Sequence, residues 1–182
     1  MPVDNVVPLQ RGSNPKFESM LVPTDGSALS IAAACKAVEF ARRLQARIVA
    51  FHAIPVYRYP VYVGGIPFEY PSELDYQTQC RAIAERYLDL VASTAAAMGV
   101  ALSKRIDFNS ATAQAIVEAA KRENCSMIFM GSHGRGGLSR AFLGSVALKT
   151  LTLAQIPVMV DRPTAEEIAG AESMMRQNAV DT

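Results

Sequence analysis

The 182-residue chain contains no tryptophan, three cysteines and two histidines. Cys35, Cys80 and Cys125 show no CxxC spacing and no nearby His cluster, which excludes a zinc framework or a disulfide scaffold. They read as small buried hydrophobes in a reducing compartment. No apolar run approaches the ~18 residues of a membrane-spanning helix, so no membrane insertion is expected. An excess of one charge is also missing. Lys and Arg total 18 against 17 Asp and Glu, a formal net charge of +1. That balance gives no general pull toward nucleic acid or anionic lipid. The opening "MPVDNVVPLQRGSNPK" has no basic start followed by an apolar block, so a secretory signal is not expected and the cytoplasm is the expected location. The P-loop pattern GxxxxGK[ST] is absent, which excludes an ATPase of that class. "HIGH" and "SGGxDS" are absent too, so the nucleotidyl-transfer and ATP-pyrophosphatase classes lack their motifs.

What is present is an ordinary globular balance, 50% hydrophobic and 19% charged, in a length that suits one domain with a real core. Both ends differ from the middle. Residues 1–18 hold three prolines and no sustained period, and read as an N-terminal arm. Beyond Pro163, Ile168, Ala171 and Met175 fall at helical spacing in a weak segment, so 163–182 reads as a C-terminal tail with a short or frayed helix. The domain is expected over 19–162.

Within that span, short apolar runs alternate with helical patterns. "SMLVP" is a strand. Ser27 can cap a helix with Leu29, Ala33, Ala37, Phe40 and Leu44 on one face. "RIVAFHAI" is a second strand. The stretch from Pro55 to Pro71, punctuated by proline and rich in tyrosine, reads as a long loop. A helix with Cys80, Ile83, Tyr87, Leu90, Thr94 and Met98 on a stripe follows. "ALSKRIDF", "SMIFM" and "IPVMVD" are further strands, separated by the helices "ATAQAIVEAAKREN", with Ile116, Val117 and Ala120 inward, and "SVALKTLTLA". Strands separated by helices predict an α/β fold, an open doubly wound five-stranded parallel sheet with helices on both faces.

In such a sheet, ligands bind beyond the carboxyl ends of the strands, at the switch point of strand order. Three corners qualify: "PTDGS", "FHAIP" and "MGSHG". The last opens "GSHGRGGLSRAFLGS", which holds five glycines in fifteen residues between a strand and a helix. Gly131 and Gly134 remove side chains where the chain leaves the strand. Gly144 and Ser145 open the next helix, whose first turn offers unpaired N–H groups and the positive end of the dipole. Phosphate is the natural partner of that arrangement, although the same glycines would also serve a mobile loop.

The spacing Gly131-x2-Gly134-x9-Gly144-Ser145 matches the G-x2-G-x9-G-[S/T] nucleotide motif of the universal stress protein family. "MLVPTDGS" is similar to the first strand and Asp corner of that family, and "MIFMGSHGRGGLSRAFLGSVALKTLTLAQIPVMV" to its whole C-terminal third. The resemblance runs from about Glu18 to Arg162 and implies the strand order 3-2-1-4-5, homodimers and, in the motif-bearing branch, bound ATP. It implies that Asp25 holds ribose or adenine beside a wall shaped by Pro23 and Thr24, and that Ala53 meets adenine through its backbone. Met130 and Gly131 would line the ribose. Gly134, Gly144, Ser145 and Val146 would surround the phosphates, with Mg²⁺ as ATP's usual companion. His133 matches a common family residue without an assigned role. Ser126 stands where the family is often acidic.

The residues themselves leave alternatives open. An ionised Asp25 only accepts hydrogen bonds, which suits a ribose diol or an exocyclic amine, but it can equally order the turn before the first helix. Arg135 and Arg140 either clamp phosphate or stay solvated. His52 lies within a strand and reads as a core histidine with a satisfied hydrogen bond. His133 and Ser139 have no evident catalytic partner. The expected function is therefore a nucleotide (ATP)-binding regulatory or stress-response protein and not an efficient enzyme. The alternatives are a slow ATPase or self-modifying phosphotransferase, and an interaction module binding AMP or a cyclic nucleotide. The strand from Ile156 to Asp161 is apolar and lies at the edge in the implied order. It invites a homodimer through paired edges unless the C-terminal tail covers it.

Overall fold

A computed structural model describes residues 17–57, 71–134 and 142–180, without the side chains of the last two. Five strands and five helices alternate: β1 (Ser19–Pro23), α1 (Ala28–Leu44), β2 (Arg47–Ile54), α2 (Glu73–Ala97), β3 (Leu102–Phe108), α3 (Thr112–Arg122), β4 (Met127–Gly131), α4 (Ser145–Leu153), β5 (Val158–Asp161) and α5 (Ala165–Val180). All neighbouring strands are parallel, in the order β3-β2-β1-β4-β5. The doubly wound sheet expected from the alternation is the observed one. β5 is shorter than the apolar run, because Ile156 and Pro157 lie before it.

Period-2 geometry sorts the central strands between two cores. Met20 and Val22 of β1, with Ile48, Ala50, Met127 and Phe129, face one side. Helices α1, α2 and α5 cover them there. Leu21, Val49, Phe51, Ile128 and Met130 face the other side, under Ala115, Ile116 and Ala119 of α3 and Ala147 of α4. All five residues of β1 are buried. Each large side chain removed from water here contributes about 1.5–3 kcal/mol before the entropy cost of ordering it. Ser126 has a structural task in this layer. Its hydroxyl accepts from Ser19 N–H at 3.2 Å and donates to Ser19 C=O at 2.8 Å, clipping β4 to β1.

Helix faces differ in detail from the stripes read from the sequence. Ser27 caps α1 as expected, its hydroxyl accepting from Ser30 N–H. The buried face of α1 also takes in Ile31, Ala34, Val38 and Ala41, while Leu44 is exposed. In α2 the buried residues are Ala84, Leu88, Leu90, Val91 and Ala95; of the expected stripe Leu90 is buried and Met98 packs against the core, whereas Ile83 is exposed. Alanines carry much of both faces, and a small residue marks a face weakly. Burial pushes the Cys35 and Cys125 thiols above their ordinary value, which keeps them protonated and unreactive.

The segment after Pro163 is longer than its weak pattern suggests. It is a helix of 16 residues packed against α1 and α2. Ala171 is buried, with Ile168, Met174 and Met175 lying against the same core cluster. The main packing of this helix is on α1, not on β5. An ion pair adds to this packing: Lys36 of α1 meets Glu167 of the helix at 2.8 Å, and also Asp161 of β5 at 3.2 Å.

Candidate functional site

β1 ends at Pro23, and the chain turns through Thr24, Asp25 and Gly26 into α1. Thr24 Oγ1 accepts from Gly26 N–H at 3.1 Å and shares a 2.8 Å hydrogen bond with Ser30 Oγ. Asp25 Oδ1 accepts from both Ser27 N–H, at 3.0 Å, and Ser27 Oγ, at 2.7 Å. The carboxylate thus orders this turn, as one of the two readings of Asp25 requires. Its second oxygen, Oδ2, lies against Gly134.

β2 runs further than β1 at this end of the sheet. Phe51 C=O accepts from Thr24 N–H, whereas Ile54 C=O accepts from Asn109 N–H on the β3 side. Backbone groups of a strand alternate sides, so those of Ala53 face past the end of β1. His52 Nδ1 lies 2.7 Å from Thr24 C=O. A carbonyl only accepts, so Nδ1 carries the hydrogen. The His52 ring meets Tyr87 edge-on with centroids 5.6 Å apart.

The third corner leaves β4 at Gly131. Ser132 N–H donates to Asp161 C=O at 2.7 Å, and Ser132 C=O accepts from Gly144 N–H at 2.8 Å. That second bond staples the start of α4 onto the corner. A Cβ on Gly144 would lie 3.0 Å from Ser132 O and 3.3 Å from His133 Cα, which explains glycine there. His133 Nδ1 is 3.1 Å from Ser132 Oγ. No side chain among the described residues caps the N-terminus of α4.

These corners enclose one crevice of about 430 Å³, within the size range of small-molecule sites. Pro23, Thr24 and Asp25 form one wall, and Ala53 stands at the end of β2. Met130, Gly131, His133 and Gly134 line the opposite corner, and Gly144, Ser145 and Val146 open the α4 side. The residues that the family resemblance assigns to the nucleotide therefore all line this one crevice. Arg135, Ser139, Arg140 and most of the tyrosine-rich loop lie outside the described residues. The flanks of that loop are tied together: Tyr57 Oη donates to Pro71 C=O, and Tyr76 Oη to Pro55 C=O, at 2.7 and 2.8 Å.

The crevice also takes in Ser30, His52, Pro55, Thr112 and Ile116. His52 reads from sequence as a core residue and is in fact both hydrogen-bonded and at the wall. Thr112 opens α3, on a corner not counted among the three. A hydroxyl at a helix start after "FNSA", where Asn109 Oδ1 accepts from Ala111 N–H, is the signal that marks it.

A sequence model of the universal stress protein family matches residues 16–162. Universal stress protein MJ0531 of Methanocaldococcus jannaschii is 30% identical over 159 residues, covering 87% of this chain and 89% of its own. The chain spans about half the length, 48%, of a Mycobacterium tuberculosis relative, Rv2005c, to which it is 32% identical. Among solved structures, a universal stress protein in complex with cAMP is 19% identical with a TM-score of 0.56, covering 81% of this chain and 98% of that one. The Archaeoglobus fulgidus universal stress protein in complex with dAMP is 18% identical with a TM-score of 0.57, covering 80% and 98%. At that identity the two structures establish the shared fold.

Proposed function

The chain belongs to the universal stress protein family, and from that premise we propose that it is a regulatory stress-response protein whose crevice binds an adenine nucleotide, ATP in particular. The observation that carries this reading is the convergence, on one crevice, of three strand ends and the N-terminus of α4, which no side chain among the described residues caps. The helix start supplies N–H donors and a positive dipole end for phosphate, with the Ser145 hydroxyl beside them. The backbone of Ala53, facing past the end of β1, suits the hydrogen-bonding edge of adenine. Asp25 suits the ribose and would repel phosphate. The complexes with cAMP and dAMP support an adenine nucleotide as the ligand class. Mg²⁺ would travel on the phosphates of ATP. The three cysteines are free, in keeping with a cytoplasmic protein.

The test is a thermal-shift titration with ATP, ADP, AMP and cyclic AMP. A ligand at 100 times its Kd stabilises by about 2.7 kcal/mol, which raises Tm by roughly 5–11 °C in a chain of this size. ATP is expected to give the largest shift. No shift with any of the four overturns nucleotide binding, and a larger shift with AMP or cyclic AMP overturns the preference for ATP.

A further inference from the structure

Gly134 is the second glycine of the motif, and its lack of a side chain needs a cause. The backbone does not supply one, because the glycines with positive φ are Gly26 and Gly99 among the described residues. Space does. A Cβ built on Gly134 would overlap Asp25 Oδ2, and its three nearest heavy atoms all belong to that one carboxylate, with Cγ at 3.1 Å and Oδ1 at 3.8 Å. Asp25 has little room to retreat, because Oδ1 is held by Ser27 N–H and Oγ at the start of α1. Contacts under 3.0 Å are essentially never made by a real Cβ, so a side chain at 134 and the present position of Asp25 exclude each other.

We infer that Gly134 is a positioning residue for Asp25. It leaves open the space into which the carboxylate reaches across the crevice, and so governs recognition of the nucleoside end of the ligand rather than its phosphates. This rests on the proposed nucleotide site and reassigns one residue within it. Gly144 behaves differently. Its two nearest neighbours are backbone atoms of Ser132 and His133, so its glycine fits α4 onto the β4 corner.

The experiment pairs a stability cycle with two ligands. Thermal melting is recorded for wild type, Gly134→Ala, Asp25→Ala and the double variant, without ligand. Gly134→Ala is expected to lower Tm in the wild-type background and to have little effect once Asp25 is alanine, as for any coupled contact. An equal loss in both backgrounds overturns the inference. If Gly134→Ala does not fold, a folded double variant supports the coupling and an unfolded one overturns it. Affinities for adenosine and ATP are then measured by calorimetry. Gly134→Ala should weaken both by similar factors, about tenfold or more, and should add nothing to Asp25→Ala. Loss of ATP with adenosine binding intact returns Gly134 to the phosphates and overturns the inference. A wild type that binds neither ligand overturns the proposed function and the nucleoside role with it, while the melting cycle still decides the coupling.

Discussion

A Cβ on Gly26 would lie 2.5 Å from the ring of Tyr87, at a residue whose φ is +78°. Both conditions favour glycine: L residues pay about 1–2 kcal/mol for the left-handed conformation, and the ring must also move. Gly26→Ala should destabilise the fold by about 2 kcal/mol or more, a Tm loss of roughly 4–8 °C by scanning calorimetry. An unchanged Tm would refute the contact. Tyr87 in turn meets His52, which holds Thr24 C=O, so the same change loosens one wall of the crevice. Asp25 carries a different prediction. If it accepts from the ribose, Asp25→Ala should weaken AMP and ATP equally, by about 1.5–3 kcal/mol each for a hydrogen bond to a charged group. Titration calorimetry with both ligands measures this, and a loss confined to ATP would put the carboxylate at the phosphates.

α5 shows how an element of weak sequence signal becomes fixed. Its start is a capping box: Thr164 N–H donates to Glu167 Oε2 at 2.7 Å, and Glu167 N–H to Thr164 Oγ1 at 3.3 Å. Glu167 then pairs with Lys36 of α1. The Lys36 bond is the main cause holding Glu167 below its ordinary 4.5, and Glu167 is likewise the main cause raising Lys36 above 10.5. For the depressed carboxyl, stability is present above pH 4.5 and is lost as pH falls through its folded-state value; for the raised amine, it is present below pH 10.5 and is lost in stronger alkali. The pair is therefore intact across neutral pH. Glu167→Gln should melt slightly below wild type at pH 7, and the difference should shrink as pH falls below 4.5 and the carboxyl takes up its proton. Melts from pH 7 downward test this, and a difference that does not shrink in acid assigns it to packing.

At the scale of the whole molecule the two sheet edges are unlike. β3 carries Lys104, paired with Glu85 and Asp89, and Arg105, paired with Glu123. Charges of this kind protect an edge. β5 has none before Asp161, and Met159 is 39% exposed. α5 packs on α1 and α2, and among the described residues this suits the expected homodimer through β5. The register decides how to test it. Pro157 C=O and Asp161 C=O accept from Ile128 of β4 and from Ser132 just beyond it, so by alternation Met159 also bonds to β4, and Val158 and Val160 present their backbone outward. Val160→Pro removes an outward N–H without touching the β4 ladder, and Met159→Lys adds a charge at the exposed position. Either should turn a dimer into a monomer in light scattering at micromolar concentration, and a wild type that is monomeric there would dismiss the interface.

The alternation of apolar runs with helical periods was enough to determine the parallel sheet, because each strand buried on both faces must be followed by a helix that covers it. The motif spacing was enough to point to the family and to select residues that meet in the crevice, because it is the full spacing, not the glycines alone, that separates this corner from an ordinary loop. The cap at Ser27 was legible for a similarly local reason. Tertiary structure alone decided the rest. The alanine faces of α1 and α2 have no hydrophobic contrast until a neighbour covers them. α5 is held by Lys36 and by the core it covers, neither of which is near it in sequence. Thr112 and His52 reach the crevice because β3 ends beside β2, and β2 beside β1. The exclusion between Gly134 and Asp25 is a contact between two corners far apart in the chain, and local periodicity holds no record of which corners touch.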